Sequence, residues 1–338
     1  SVVVMSTISK VAERAGVSRT TVSHVINHAD RVSKPLRDKV LAAIEELGYQ
    51  PNPQARSLRT GRTNLVAVMI PDILNPYYVQ IVRVIQQELA TVGLEILILN
   101  TDVPGGHSVE HGRQFLRQVN RKRLDGIIIA DFAVHWMQEA IATLEIPAVL
   151  IGTLPGSVID SVGLDDAGGA RMMGHYLAGK GYRRIGHVTG PSFFEQAVVR
   201  RQAFGEGFAD AGGDPALTLH FEGSYLPPSG YEGVSWLLDR PQEERPEAIF
   251  FSSSLMAQGG LAALFDRGVA LPSEMGVATF GGWEHFEFVR PRVTRVGNDP
   301  SLLARRGIEM LLERMGGTFE GEPRREVIDC ILKVFDTA

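Results

Sequence analysis

A single cysteine, Cys330, stands in 338 residues, so the chain closes no disulfide within itself and builds no cysteine-rich metal site, which fits a reducing compartment. Long apolar runs are missing as well. No stretch approaches the ~20 residues that span a bilayer, and the opening SVVVM has neither the basic flank nor the length of a signal-peptide core; it reads as a start-site remnant. These absences lead to the expectation of a cytoplasmic protein with no membrane contact. Catalytic signatures are equally scarce. There is no nucleophile elbow or zinc-protease helix, and His107 and His111, four apart, have no evident third ligand. The run from Gly174 to Lys180 has the spacing of a phosphate loop, but Gly181 replaces the hydroxyl that would hold magnesium, and the segment closes a helical pattern instead of opening one. Gly205 and Gly207 lack the third glycine of a dinucleotide fingerprint. We therefore expect no enzyme, no cofactor and no metal.

What is present is unevenly charged. Residues 1–62 hold ten basic and five acidic side chains, a net +5, while the remainder carries −10. A basic head on an acidic body is the electrostatic footprint of a polyanion met by the head alone.

In that head Ile8, Val11, Ala12 and Ala15 fall on one helical face, Gly16 breaks it, and Ser18 is placed to cap a second helix beginning near Arg19. Around the second helix Val22, Val25 and Ile26 occupy one arc; Arg19, Thr20, Ser23, His24 and Asn27 occupy the other, with no carboxylate to repel phosphate. Such a face fits a major groove, where hydroxyls and an imidazole reach base edges and Arg19 pairs with guanine or phosphate. Ser33 is placed to cap a third helix with Pro35 in its first turn, and Gly48 ends it. Next comes a polar stretch in which Leu58 can wedge into a minor-groove base step while Arg56, Arg59 and Arg62 neutralise phosphate.

These residues carry a resemblance. Over residues 7–63 the sequence, with TISKVAERAGVSRTTVSHVIN at its start and NPQARSLRTGRT at its end, closely resembles the LacI/GalR family of transcriptional regulators, and TTVSHVIN is similar to the recognition helix of that family's purine-repressor branch. The resemblance implies a homodimer on double-stranded DNA, at a near-palindromic operator centred on CG. DNA contacts are implied for Ser18, Arg19, Thr20, Thr21, Ser23, His24, Asn27, Arg56, Ser57, Leu58 and Arg59.

Downstream, short apolar runs at 65–70, 95–99, 125–130, 148–151, 185–188, 217–221, 248–251, 277–280 and 293–296 alternate with helix-length amphipathic stretches. That alternation predicts parallel sheets with crossover helices, and the length predicts two lobes. Ligands of such sheets gather beyond the carboxyl ends of strands, here at Gly152, Gly190, Tyr225, Ser252, Ser253, Ser254 and Gly281 among others; Tyr77, Tyr78, Tyr225 and Trp283 are available to stack on a metabolite. The same family resemblance runs through PDILNPYY, RKRLDGIII, RRIGHVTGP and RPEAIFFSSSLMAQGGLAAL. It implies an effector site made by Asn75, Tyr77, Tyr78, Gly152, Phe194, Gln196, Arg200, Tyr225, Ser253, Ser254 and Gly281. Sugar-binding members carry acidic or amide groups where this chain has Gly152, Ser253, Ser254 and Gly281, yet Arg200 matches their ligand-binding arginine. A cleft keeping the cation and losing the acids points to a phosphorylated sugar or another anion.

The fold expected is an all-α helix-turn-helix DNA-binding domain followed by an α/β two-lobed effector domain like the type I periplasmic binding proteins. The boundaries read as head 1–50, hinge 51–64 and core 65–338, with one lobe from 65–160 and 297–323, the other from 161–295 and 324–338. The function expected is a dimeric repressor of a metabolic operon, tuned by a carbohydrate-like or anionic metabolite. A regulator with a degenerate pocket and a free-standing solute-binding protein remain the alternatives; sixty residues of basic head weigh against the latter.

Overall fold

A computed structural model describes residues 7–27, 32–49, 62–101, 116, 117, 119, 124–130, 140–153, 156–283 and 286–338. The chain divides into two compact units, Ser1–Thr63 and Asn64–Ala338.

In the first unit, α1 (Ile8–Ala15) starts at Thr7, whose hydroxyl accepts from Lys10 N, and stops at Gly16, held at φ 65°. The left-handed turn is one a glycine adopts without a Cβ clash. It lets Val17 N reach back to Ala12 O at 3.0 Å. Ser18 Oγ then accepts from Thr21 N at 3.0 Å and caps α2 (Arg19–Asn27). For α3 (Lys34–Glu46) the expected cap differs: Ser33 occupies the N-cap position, but its side chain makes no capping bond, and its carbonyl takes Leu36 N and Arg37 N. Pro35 at the start removes one of the amides that would need a cap. Val11, Ala12, Ala15, Val22, Val25, Val40 and Ala43 form the small core that all three helices share.

The second unit holds two six-stranded sheets. The first takes β1 (Leu65–Ile70), β2 (Glu95–Asn100), β3 (Gly126–Ala130), β4 (Ala148–Ile151), β5 (Asp160–Leu164) and β11 (Arg325–Ile328), in the order β11-β5-β4-β3-β1-β2. Every pairing in it is parallel. The second takes β6 (Ile185–Thr189), β7 (Thr218–Glu222), β8 (Ala248–Phe251), β9 (Gly276–Phe280), β10 (Thr294–Gly297) and β12 (Ile331–Lys333), in the order β12-β10-β9-β8-β6-β7, with only β12 antiparallel. The near-continuous apolar content of the inner strands β1, β3, β4 and β8 follows from burial on both faces. Helices α4 (Pro76–Thr91) and α9 (Pro300–Met315) cover one face of the first sheet. Helices α5 (Asp166–Gly179) and α6 (Glu195–Asp210) cover one face of the second, and α7 (Pro227–Leu238) with α8 (Ser254–Asp266) the other.

The chain passes between lobes three times, at 164–166, 297–300 and 328–331. Two lobe edges therefore differ from those read in the sequence: 161–164 and 324–328 belong with the first lobe, because β5 and β11 pair with each other there in parallel. The three passages are tied side by side. Asp165 N bonds Ile328 O at 2.9 Å, Asn298 Nδ2 bonds Asp329 O at 3.0 Å, and Cys330 Sγ lies 3.3 Å from Asp165 O.

The strand β5 has no counterpart among the apolar runs. DSVGL begins with a carboxylate and contains a glycine. Asp160 is nevertheless buried, and its carboxylate accepts from the guanidinium groups of Arg314 and Arg324, from 2.7 to 3.2 Å. Burial alone would raise its pKa; the hydrogen bonds from the two arginines outweigh that and hold it at about 2.

Candidate functional site

Two surfaces matter, one in each unit. On the head, Val22 and Val25 point into the core, leaving Arg19, Thr20 and His24 exposed and Thr21 and Ser23 half-buried. Two of the proposed DNA contacts have local tasks as well: Ser18 Oγ and Thr21 Oγ1 lie 2.9 Å apart and close the helix start. The exposed row at positions 19, 20 and 24 is spaced as one face of a helix. Asn27 ends α2; Arg56, Ser57, Leu58 and Arg59 lie outside the described residues, as do His107 and His111.

In the second unit a cavity of about 150 Å³ opens at the carboxyl ends of the strands, between the lobes. In other proteins a hole of about that volume admits a benzene-sized ligand. From the first lobe it is lined by Asn75, Tyr77, Tyr78, Gly152, Thr153, Gly163 and Leu303; from the second by Gln196, Arg200, Tyr225, Ser253, Ser254, Leu255, Phe280 and Gly281. Leu164, Asp166 and Asn298, at the passages between lobes, complete the wall. Of the effector site implied by the family resemblance, the structure brings together every residue but Phe194, which stands outside the lining and packs against Tyr225 with ring centroids 5.9 Å apart; the strand-end residues Gly190 and Ser252 also lie outside the lining. Trp283 also stands outside, with the cations of Arg295 and Lys333 each 5.2 Å from its ring centroid.

Local folding explains the placements. Asn75 caps α4, its side-chain Oδ1 accepting from Tyr77 N at 3.1 Å, which fixes the two tyrosines that meet edge to face at 5.1 Å. Ser253 caps α8, accepting from Met256 N at 3.3 Å. Gly281 has φ 82°, a left-handed backbone that disfavours any side chain. Gln196 Oε1 is buried beside the cavity and has no hydrogen-bond partner among the described residues.

Arg200 is where geometry changes the sequence reading. Its Nε and Nη2 both meet Asp166 Oδ1, at 2.8 and 2.7 Å, and Nη1 donates to Ser252 O at 2.7 Å. The guanidinium lies 3.7 Å from the centroid of Phe280. The cation that pointed to an anionic ligand is already paired with a carboxylate in the same wall. Sequence reasoning missed Asp166 because it sits 34 positions from Arg200; the available signal was an acid in the first turn of a helix, which reads as ordinary dipole compensation. Asn298 was missed likewise, since its place depends on the passage from β10 to α9.

Behind Arg200, Ser252 is fully buried and its hydroxyl lies 2.9 Å from His187 Nε2. His187 is packed between Phe204, Phe250 and His220. Burial, then the neighbouring His220 and Arg201, keep the imidazole neutral far below its usual range. Among the described residues no group of three His, Cys, Asp or Glu is placed to hold a metal ion, and no helix is long and apolar enough to cross a membrane.

Comparison with known proteins places this architecture. Residues 7–52 match the bacterial regulatory proteins of the lacI family, and residues 175–333 match the periplasmic binding protein-like domain. The chain belongs to the LacI family and is a DNA-binding transcriptional repressor of that class, not an enzyme. Among its relatives is the HTH-type transcriptional repressor PurR of Haemophilus influenzae (strain PittEE), 30% identical over 333 residues, with 96% of each chain covered. The PurR of Proteus mirabilis (strain HI4320) is 28% identical over 316 residues, covering 92% of this chain and 91% of that one. The Lac repressor dimer bound to operator and the anti-inducer ONPF superposes with a TM-score of 0.86 at 24% identity, covering 98% and 99% of the two chains. A complex of the transcriptional regulator CelR with cellobiose gives 0.71 at 28%, covering 98% and 100%.

Proposed function

We propose that this repressor binds its operator as a homodimer in the cytoplasm and that a small polar metabolite, held between the lobes, sets its DNA affinity. One observation carries the reading: the cavity wall is made by both lobes and by Leu164, Asp166 and Asn298 at their junctions. A ligand touching all three parts binds one angle between lobes better than another, and that difference in affinity is what shifts an equilibrium. The pairing of Arg200 with Asp166 supports an uncharged, carbohydrate-like ligand over the phosphorylated sugar expected from sequence. Cellobiose in the related CelR structure agrees with that class. Arg19, Thr20 and His24 read the base edges of each half-site, and Leu58 kinks the central step.

The test is selection of bound DNA from a random pool by the full chain, repeated with a library of neutral sugars, sugar phosphates and nucleobases. The expected result is a near-palindrome centred on CG whose recovery changes with a neutral compound. Recovery without sequence preference at moderate salt overturns the specific-recognition reading, and a palindrome indifferent to every compound supports the degenerate pocket.

A further inference from the structure

Gly190 follows β6 directly and is buried. Its backbone is not in the left-handed region, so nothing in its φ asks for glycine. Space does. A Cβ built there would stand 2.0 Å from Tyr225 Cζ, 2.2 Å from its hydroxyl oxygen and 2.5 Å from Cε1, distances at which something must move. The ring therefore lies directly on the bare backbone of residue 190.

Tyr225 itself is held in an unusual way. It is one of two non-glycine residues with positive φ among those described, at 66°, a conformation that disfavours a side chain and persists where the surroundings over-determine it. The surroundings do so on three sides. Gly223 N bonds Thr189 O at 2.9 Å, Ser224 N bonds Ser229 Oγ at 2.9 Å, and the Phe194 ring packs on the phenol. The tyrosine wall of the cavity is thus seated on a glycine.

We infer that Gly190 is a specificity-determining residue: as the seat of Tyr225 it keeps the ring out of the cavity and sets the largest ligand the cavity admits. The inference rests on the cavity being the effector site. A methyl group at 190 displaces the ring toward the cavity space and excludes ligands that the native protein takes. Removing the ring enlarges the space by the shape of a phenol.

The test uses the full chain and two variants. Tyr225→Gly suits the left-handed backbone and is expected to fold, which far-ultraviolet circular dichroism checks. In it, 4-methylphenol, the tyrosine side chain as a free molecule, is expected to bind by calorimetry at least tenfold more tightly than to the native protein. Adding Gly190→Val refills the seat and is expected to abolish that gain. Equal binding to Tyr225→Gly and to the double variant, or no gain over native, overturns the proposal. A second arm follows the melting temperature with erythritol, ribose, glucose and cellobiose. Gly190→Ala is expected to lose the larger responders of the native protein, and retention of all of them overturns the proposal. A native protein unmoved by every sugar counts against the neutral-effector reading, while the 4-methylphenol arm still decides the seat.

Discussion

Replacing Asp160 with asparagine tests how the first lobe is closed. The carboxylate is buried and accepts five hydrogen bonds, from Arg314 Nε and Nη2 and from Arg324 N, Nε and Nη2. It joins the start of β5 to the end of α9 and to the segment entering β11. An asparagine keeps the shape but points an NH2 at guanidinium donors; it takes from Arg314 its carboxylate partner and from Arg324 one of two, Glu313 remaining. Breaking a buried pair in this way costs about 3–5 kcal/mol. The pKa supplies an independent figure: the folded value of about 2 lies below the usual 3.8, which at roughly 1.4 kcal/mol per unit amounts to about 2 kcal/mol. The sign follows from the depression. Below pH 4 the unfolded chain takes up its proton first, so this stabilisation is complete above pH 4 and is lost as the pH falls to about 2. Urea denaturation followed by circular dichroism at pH 7 is expected to show Asp160→Asn with a lower midpoint and an unchanged slope. A loss under about 1 kcal/mol, or stability profiles of native and variant protein that run parallel from pH 5 to pH 2, would refute the argument.

Three further outcomes are expected. Burial and then Arg201 lower the His220 pKa from 6.5 to about 4; the folded protein therefore loses stability as pH falls from 6.5 toward 4, and His220→Gln lessens that slope in a melting profile without removing it, because the buried His187 is held neutral in the fold as well. His24→Ala should cost about 1–3 kcal/mol at one base pair of each half-site, seen in competition mobility shifts as relaxed preference there with unchanged binding to other positions; uniform weakening across all sequences would instead mark a phosphate contact. Cys330 is buried, and desolvation, with Asp166 nearby, pushes its thiol up to about 12; it should resist a thiol-specific disulfide reagent at pH 8 until urea unfolds the chain, and rapid reaction in the folded protein contradicts its placement.

Elements whose causes are local can be read directly from the residues. The head was legible because Val11, Val22 and Val40 recur on helical faces and because Gly16 and Ser18 act within a few residues of themselves. Strands such as 65–70 and 248–251 were legible because burial on both faces demands unbroken apolar runs, and the strand-end rule then pointed at Gly152, Arg200's neighbour Ser252, and Gly281. What depends on distant partners emerges when the chain is folded. DSVGL becomes a strand because β4 and β11 flank it and because Arg314 and Arg324 neutralise its aspartate. The pairing of Arg200 lay beyond the sequence for the same reason: in the fold its guanidinium meets Asp166, and no local pattern reports a pairing made across two helices.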